Sequence, residues 1–209
     1  MWEILETTQT ELLNRLVERS INFEEFSMTF SAEEIMRAVV KYGYVVAHTL
    51  KMYRYLCDKM DGKEFDLEIS VDETDSPTSF AEHFYLVSEL KRLGVKWVPR
   101  FIGRFEKGVD YIGDLDKFKV EFAVHAAISK NFGPYKLSLH SGSDKFSIYP
   151  IASELAGNLA HLKTAGTSYL EALRTIASEH PDLFKEIYQY AINRYEEDKV
   201  SYHVSAQLS

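Results

Sequence analysis

Short segments with the character of strands alternate with longer amphipathic helices, and this alternation limits the possible fold more than any other feature. The predicted strands are residues 65–71, 95–98, 135–140 and 159–164. In the first and third, apolar and polar residues alternate with the period of two that is typical of a strand. Between the strands, apolar residues recur every three or four positions, which predicts amphipathic helices. Strands that alternate with helices form a parallel sheet with right-handed crossovers.

Side chains that can cap helices predict where three of these helices begin. Ser31 with Glu34, and Ser79 with Glu82, have the spacing of a capping box, in which a serine and a glutamate satisfy each other's backbone N–H groups. Asp114 precedes a further stripe of apolar residues and is predicted to cap the helix that this stripe indicates. The sequence therefore predicts well-defined helix starts after residues 31, 79 and 114.

The chain length fits one α/β domain. The sequence has 209 residues, and four strands are half of a (β/α)₈ barrel of the TIM type. We therefore predict an α/β fold of parallel β/α units that form a partial or complete (β/α)₈ barrel. Residues 1–30 are predicted to be a peripheral helix and loop, and residues 31–209 to be the barrel portion. Residues 146–158 are predicted to be an irregular connection.

Composition excludes several classes of protein. The net charge is −8, from 24 basic and 32 acidic residues, which argues against nucleic acid or an anionic membrane as the main partner. No apolar run approaches the roughly 20 residues that span a membrane. Cys57 is the single cysteine, so an internal disulfide is excluded and a cytoplasmic location is expected.

Polar side chains share one face of the predicted strand 135–140. Leu137 and Leu139 are expected on one face, and Lys136, Ser138 and His140 on the other. Side chains at the carboxyl ends of parallel strands form the functional site in α/β sheets and barrels. His140 lies where this strand should end, so it is a candidate site residue.

Two neighbouring strands add further metal-binding groups. Glu68 lies on the polar face of the first predicted strand, and Asp72 comes directly after that strand. His161 lies on the polar face of the fourth. Two imidazoles and a carboxylate at strand ends suit a divalent metal with an open coordination position. We predict that His140, His161 and either Asp72 or Glu68 bind such an ion, for example zinc, manganese or nickel.

Cationic side chains near these strands indicate an anionic ligand. Arg100 and Lys145 follow predicted strands, and Lys163 lies on the polar face of the fourth, in a chain that is otherwise acidic. The guanidinium of arginine matches a carboxylate in two-pronged geometry. Taken singly, however, each polar residue also has a structural explanation. A buried ion pair of Glu68 with Lys136 or Lys163 would need no chemistry, and a single histidine at a strand end is more often structural.

Three blocks of sequence resemble the tagaturonate epimerase family. They are residues 68–78, 135–150 and 161–172, and the segment around Arg100 is also similar. The resemblance runs from about the long helix predicted after Ser31 to the C-terminus. Family members are much longer, with a large N-terminal region, so the chain resembles the C-terminal part of a barrel enzyme.

The resemblance implies a metal-dependent epimerase that interconverts D-tagaturonate and D-fructuronate. These hexuronates differ at the carbon β to the ketone, where a carbanion would not be conjugated with the carbonyl. Retro-aldol cleavage, with a metal that stabilises the enediolate, is one route. Transient oxidation is the other and needs a dinucleotide, but no G-x-G-x-x-G follows a strand, so the metal route is favoured.

The resemblance also suggests roles for the remaining candidates. Glu73, Lys136 and Asp72 are predicted to act in acid–base catalysis. Ser138, together with the three cations, is predicted to bind the acidic sugar. A homo-oligomer or a missing N-terminal segment would cover the open sheet edges. Two alternatives stay open, namely another metal-dependent sugar aldolase or ketose isomerase, and a non-catalytic fragment of such a barrel.

Overall fold

The computed structural model describes residues 1–17, 21–23, 26–65, 67–70, 78–95, 98–100, 110–133, 135–139, 144–164 and 167–201. The α-helices of this part are α1 (Gln9–Leu16), α2 (Ala32–Met60), α3 (Phe80–Arg92), α4 (Leu115–Phe132), α5 (Tyr149–Ala156), α6 (Thr167–Glu179) and α7 (Pro181–Asp198). The strands are β1 (Ile21–Phe23), β2 (Phe26–Met28), β3 (Glu68–Ser70), β4 (Val98–Arg100), β5 (Leu137–Leu139) and β6 (Ala160–Leu162). Short 3₁₀-helices occupy Gly157–Leu159 and Lys199–Ser201.

Strands β3 to β6 form two parallel pairs, which agrees with the parallel strands that the alternation of strands and helices predicts. Strand β3 pairs with β4 and β5 pairs with β6, both in parallel, and β4 contacts β5. Each strand has three residues, which is shorter than the predicted segments. The structure is therefore mostly helical, with a small parallel sheet in an α/β arrangement.

The three predicted helix starts are confirmed. The Ser31 hydroxyl accepts a hydrogen bond from the Glu34 N–H, and the Glu34 carboxylate accepts one from the Ser31 N–H at 2.9 Å. Ser79 and Glu82 make the same reciprocal pair at the start of α3. The Asp114 carboxylate accepts hydrogen bonds from two N–H groups in the first turn of α4.

Two segments differ from the predictions. The predicted loop within residues 21–30 contains the antiparallel pair β1–β2. The predicted irregular connection, residues 146–158, contains helix α5, which has Pro150 in its first turn. Proline suits that position because its missing N–H has no helical partner there. Ala152 and Ala156, four residues apart, are buried and give α5 a packed face.

The core lies between the long helices and the parallel strands. Helices α2 and α3 make the most extensive helix pair, and α4 packs on α3 and α5. Phe30 and Phe84 stack in this core with ring centroids 5.2 Å apart. Leu5 and Leu12 of the N-terminal segment are also fully buried. Among the described helices, none combines the length and the apolar character that crossing a membrane requires.

Candidate functional site

Strands β5 and β6 bring two of the predicted site residues together. Ser138 lies directly opposite His161 in the parallel register, and the Ser138 hydroxyl oxygen is 2.9 Å from His161 Nδ1. Leu137, Ser138 and Leu139 are all buried. Both faces of β5 are therefore covered, which is usual for a parallel strand between layers of helices.

Strands β3 and β4 carry further predicted site residues, and only some of these lie in the described part of the structure. Strand β3 presents Glu68 as an exposed side chain, and Ser70 lies opposite Arg100 in the register of β3 with β4. The side chain of Arg100 is outside the described part of the structure. Asp72, Glu73 and His140 are also outside the described residues, so their metal-binding and catalytic roles stay predictions. Within the described ranges, no group of three or more histidine, cysteine, aspartate or glutamate side chains is placed to hold a metal.

The predicted cationic residues lie in two environments. Lys136 and Lys163 are exposed beside β5 and β6, and the Lys163 N–H donates to the Leu139 carbonyl at 3.1 Å, which continues the pairing of the two strands. Lys145 is instead completely buried. Removing an ammonium group from water is costly, so burial of Lys145 implies a compensated environment.

Asp110 forms an anchored carboxylate near Lys145. It accepts hydrogen bonds from the Ser147 hydroxyl at 2.9 Å and from the Ser147 N–H at 3.2 Å. Desolvation alone would raise the pKa of the Asp110 carboxyl. The hydrogen bonds from Tyr111 and Ser147, together with the charge of Lys145, outweigh that effect and lower this pKa below its ordinary value.

A second polar cluster, formed by His83, His125 and Tyr135, lies under the start of β5. His83 Nδ1 is 2.7 Å from His125 Nδ1, and His83 Nε2 is 2.6 Å from the Tyr135 hydroxyl. Burial, and then the neighbouring His125, lower the pKa of His83 well below its ordinary value. Burial lowers the pKa of His125 to about 4 and raises that of Tyr135. Both imidazoles are therefore neutral at pH 7.

Neither His83 nor His125 is among the site residues predicted from the sequence. The available signal was helical spacing, because His83 follows Phe80 by three residues and His125 follows Phe122 by three. That spacing places each imidazole on the inward face of its helix. It does not show that two inward faces from different helices meet.

The fold and this site define the class of protein: an α/β protein with paired polar side chains on neighbouring parallel strands. The sequence model of the tagaturonate epimerase family matches residues 2–209. The chain therefore belongs to the tagaturonate epimerase family, and the resemblance expected from the three sequence blocks is confirmed.

Individual relatives agree with this assignment. The tagaturonate/fructuronate epimerase of Thermotoga maritima is 49% identical over 183 residues, which are 86% of this chain and 38% of that protein. The native crystal structure of fructuronate-tagaturonate epimerase UxaE from Cohnella laeviribosi matches with a TM-score of 0.84 and 35% identity, over 100% of this chain and 46% of that chain. A crystal structure of the same protein with two glycerol molecules matches with a TM-score of 0.85 and 35% identity, over 99% of this chain and 45% of that chain. The chain thus spans less than half the length of these relatives.

Proposed function

We propose that this chain carries the active site of a tagaturonate–fructuronate epimerase, a metal-dependent isomerase of hexuronate catabolism. The observation that supports the proposal most directly is the Ser138–His161 pair on adjacent parallel strands, within a chain of the epimerase family. We further propose that the parallel strands belong to a (β/α)₈ barrel of the TIM type. Two parallel strand pairs, β3–β4 and β5–β6, with a helix after each of β3, β4 and β5, support this barrel.

The chemistry of His161 fits a metal ligand. A metal-bound histidine usually has its second ring nitrogen in a hydrogen bond, which sets the tautomer and the ring orientation. Ser138 makes such a contact with Nδ1 of His161, so a metal would bind Nε2. His161, His140 and either Asp72 or Glu68 would hold the ion. When bound, a divalent ion would act as a Lewis acid that stabilises negative charge on substrate oxygens.

The cationic side chains would select an acidic sugar. Lys163 follows β6 directly and is exposed, so its ammonium group can reach a carboxylate in solution. Arg100, at the end of β4, would add two-pronged recognition of the same group. Lys145, which is completely buried, would attract the same carboxylate by the electrostatic effect of its positive charge.

We favour retro-aldol chemistry for the reaction itself. A base, for which Glu73, Asp72 and Lys136 are the candidates, would take the proton of the hydroxyl on the carbon β to the ketone. The bond between the α and β carbons would then break, and its electron pair would move toward the ketone side. After the aldehyde presents its opposite face, the same bond would re-form and the hydroxyl would recover its proton. The electron pair stays within the substrate and no hydride is transferred at any step, so the route needs no dinucleotide.

Metal analysis of two matched histidine variants tests the proposed site. His161→Ala should lower the bound zinc or manganese by at least tenfold, because loss of one ligand removes most of the affinity of a three-ligand site. His180→Ala is the control, because His180 is exposed at the start of α7. Far-UV circular dichroism should show equal helix content in both. Equal metal content in the two variants would contradict the site.

Turnover by the purified chain then separates the remaining alternatives. We expect D-tagaturonate to convert to D-fructuronate, activity to disappear with a chelator, and activity to return with added metal. Turnover of an unrelated ketose in place of tagaturonate would favour the aldolase or isomerase alternative. Metal binding without any turnover would favour a non-catalytic fragment.

A further inference from the structure

Three buried polar side chains, those of His83, His125 and Tyr135, form a continuous contact chain in the core. His83 of α3 is 0% exposed, and His125 of α4 and Tyr135 are each 5% exposed. His83 contacts both of the others, at 2.7 Å and 2.6 Å. Buried polar groups are costly unless they are paired, so these two contacts offset the cost of burying His83.

The distances couple the proton positions along the whole cluster. Two Nδ1 atoms 2.7 Å apart require one N–H donor and one lone-pair acceptor. If His83 donates from Nδ1, its Nε2 must accept from the Tyr135 hydroxyl. If His83 accepts at Nδ1, its Nε2 must donate to that hydroxyl. A neutral His83 contacts both neighbours in either case, and an apolar residue at position 83 would remove the hydrogen-bond partner that His83 provides to each of them.

Tyr135 is held at its backbone as well as at its hydroxyl. The Ser129 hydroxyl donates to the Tyr135 carbonyl at 2.5 Å. Residues of α3 and α4 therefore hold the residue that lies two positions before β5. Strand β5 then places Ser138 opposite His161.

We propose that His83 and His125 are positioning residues that act through Tyr135 to set the place of β5, and with it the Ser138–His161 pair. The positioning of β5 is independent of the proposed function. Only its result, the alignment of His161 as a metal ligand, rests on that function. The competing explanation is that the cluster merely fills volume in the core. Under that explanation, an isosteric change that removes one hydroxyl should not selectively change the hydrogen exchange of β5 and β6.

A matched pair of tyrosine variants distinguishes the two explanations. Tyr135→Phe removes a bonded hydroxyl. Tyr85→Phe removes a hydroxyl that is buried and has no hydrogen-bond partner in the described part of the structure. Hydrogen–deuterium exchange of peptides that cover β5 and β6 should become about tenfold faster in Tyr135→Phe, as expected for loss of one net hydrogen bond that holds a local unit. The same peptides should be unchanged in Tyr85→Phe.

Variants at position 83 provide a test by rescue. His83→Gln keeps one donor and one acceptor on a side chain of similar reach, whereas His83→Leu keeps neither. We expect His83→Gln to restore most of the slow exchange of β5 and β6 relative to His83→Leu. Equal exchange in these two variants, or equal exchange in the two tyrosine variants, would overturn the proposal.

Nitrogen-15 spectra of the unaltered chain cover the case in which a variant does not fold. The rings of His83 and His125 should show opposite neutral tautomers at pH 6, because their two Nδ1 atoms share a single proton. The same tautomer in both rings would overturn the proposal without any variant. The metal content of His161→Ala is measured separately, so failure here would leave the proposed metal site standing, and the reverse also holds.

Discussion

Glu89 should contribute more to stability than any exposed ion pair of this chain. It lies on α3 with a side chain that is 1% exposed, and Arg15 and Arg92 each donate to it at 2.8 Å. Arg15 belongs to α1 and also donates to the Thr7 hydroxyl at 3.0 Å. Arg92 also donates to the Leu5 carbonyl. Glu89 therefore ties the N-terminal segment to the core through two guanidinium groups.

The structure sets the size of the effect. Breaking a fully buried pair costs about 3–5 kcal/mol, because the remaining charge stays buried. Here the two arginine side chains are 32% and 26% exposed, so water can partly solvate them after the change. For Glu89→Gln, which keeps shape and one acceptor, we expect a loss of about 2 kcal/mol. In a chain of this size, that loss lowers Tm by about 4–8 °C.

Urea unfolding followed by circular dichroism measures this loss. Glu33→Gln is the matched control, because it removes the same charge from an exposed pair with Arg37, whose side chains are 73% and 77% exposed. The control should lose at most about 0.5 kcal/mol. Hydrogen exchange in residues 1–17 should also rise in Glu89→Gln alone. If Glu89→Gln costs no more than Glu33→Gln, burial does not control the strength of this pair and the reasoning is refuted.

Three further measurements test the helix cap, the buried histidines and the predicted carboxylate site. Ser79→Ala should lower the free energy of unfolding by about 1 kcal/mol through loss of the cap. Ser153→Ala, on the exposed side of α5, should leave it unchanged or raise it slightly, and the reverse order of stability would contradict the capping role of Ser79. Burial lowers the pKa of His125 from 6.5 to about 4, so the unfolded chain binds more protons between those values. The free energy of unfolding should therefore be level above about pH 6.5 and fall as the pH drops toward 4, and this slope should flatten in His125→Phe. Lys163→Met should raise KM for tagaturonate more than for tagatose, with Lys185→Met in α7 as the control, and equal losses on both substrates would exclude carboxylate binding by Lys163.

Local sequence determined the helix starts, the order of the strands and the family. A capping box joins residues three apart, as between Ser31 and Glu34, so both partners are visible in a short window of sequence. The spacing of apolar residues likewise predicts a helix or a strand from its own period. Two strand patterns and the rule that consecutive β/α units lie side by side predicted polar faces on neighbouring strands, and the register of β5 with β6 then set Ser138 opposite His161.

Only the tertiary structure decided which inward faces meet. The contacts of His83 join residues 42 and 52 positions apart, and Arg15 meets Glu89 across 74 positions. Tertiary contacts also gave residues 146–158 a helix, since burial of Ala152 and Ala156 stabilises α5. Spacing along one element identifies its buried face but not the element that covers it. Buried polar partners are set by packing between elements, and for that reason the polar clusters at His83 and Glu89 emerged only from the folded chain.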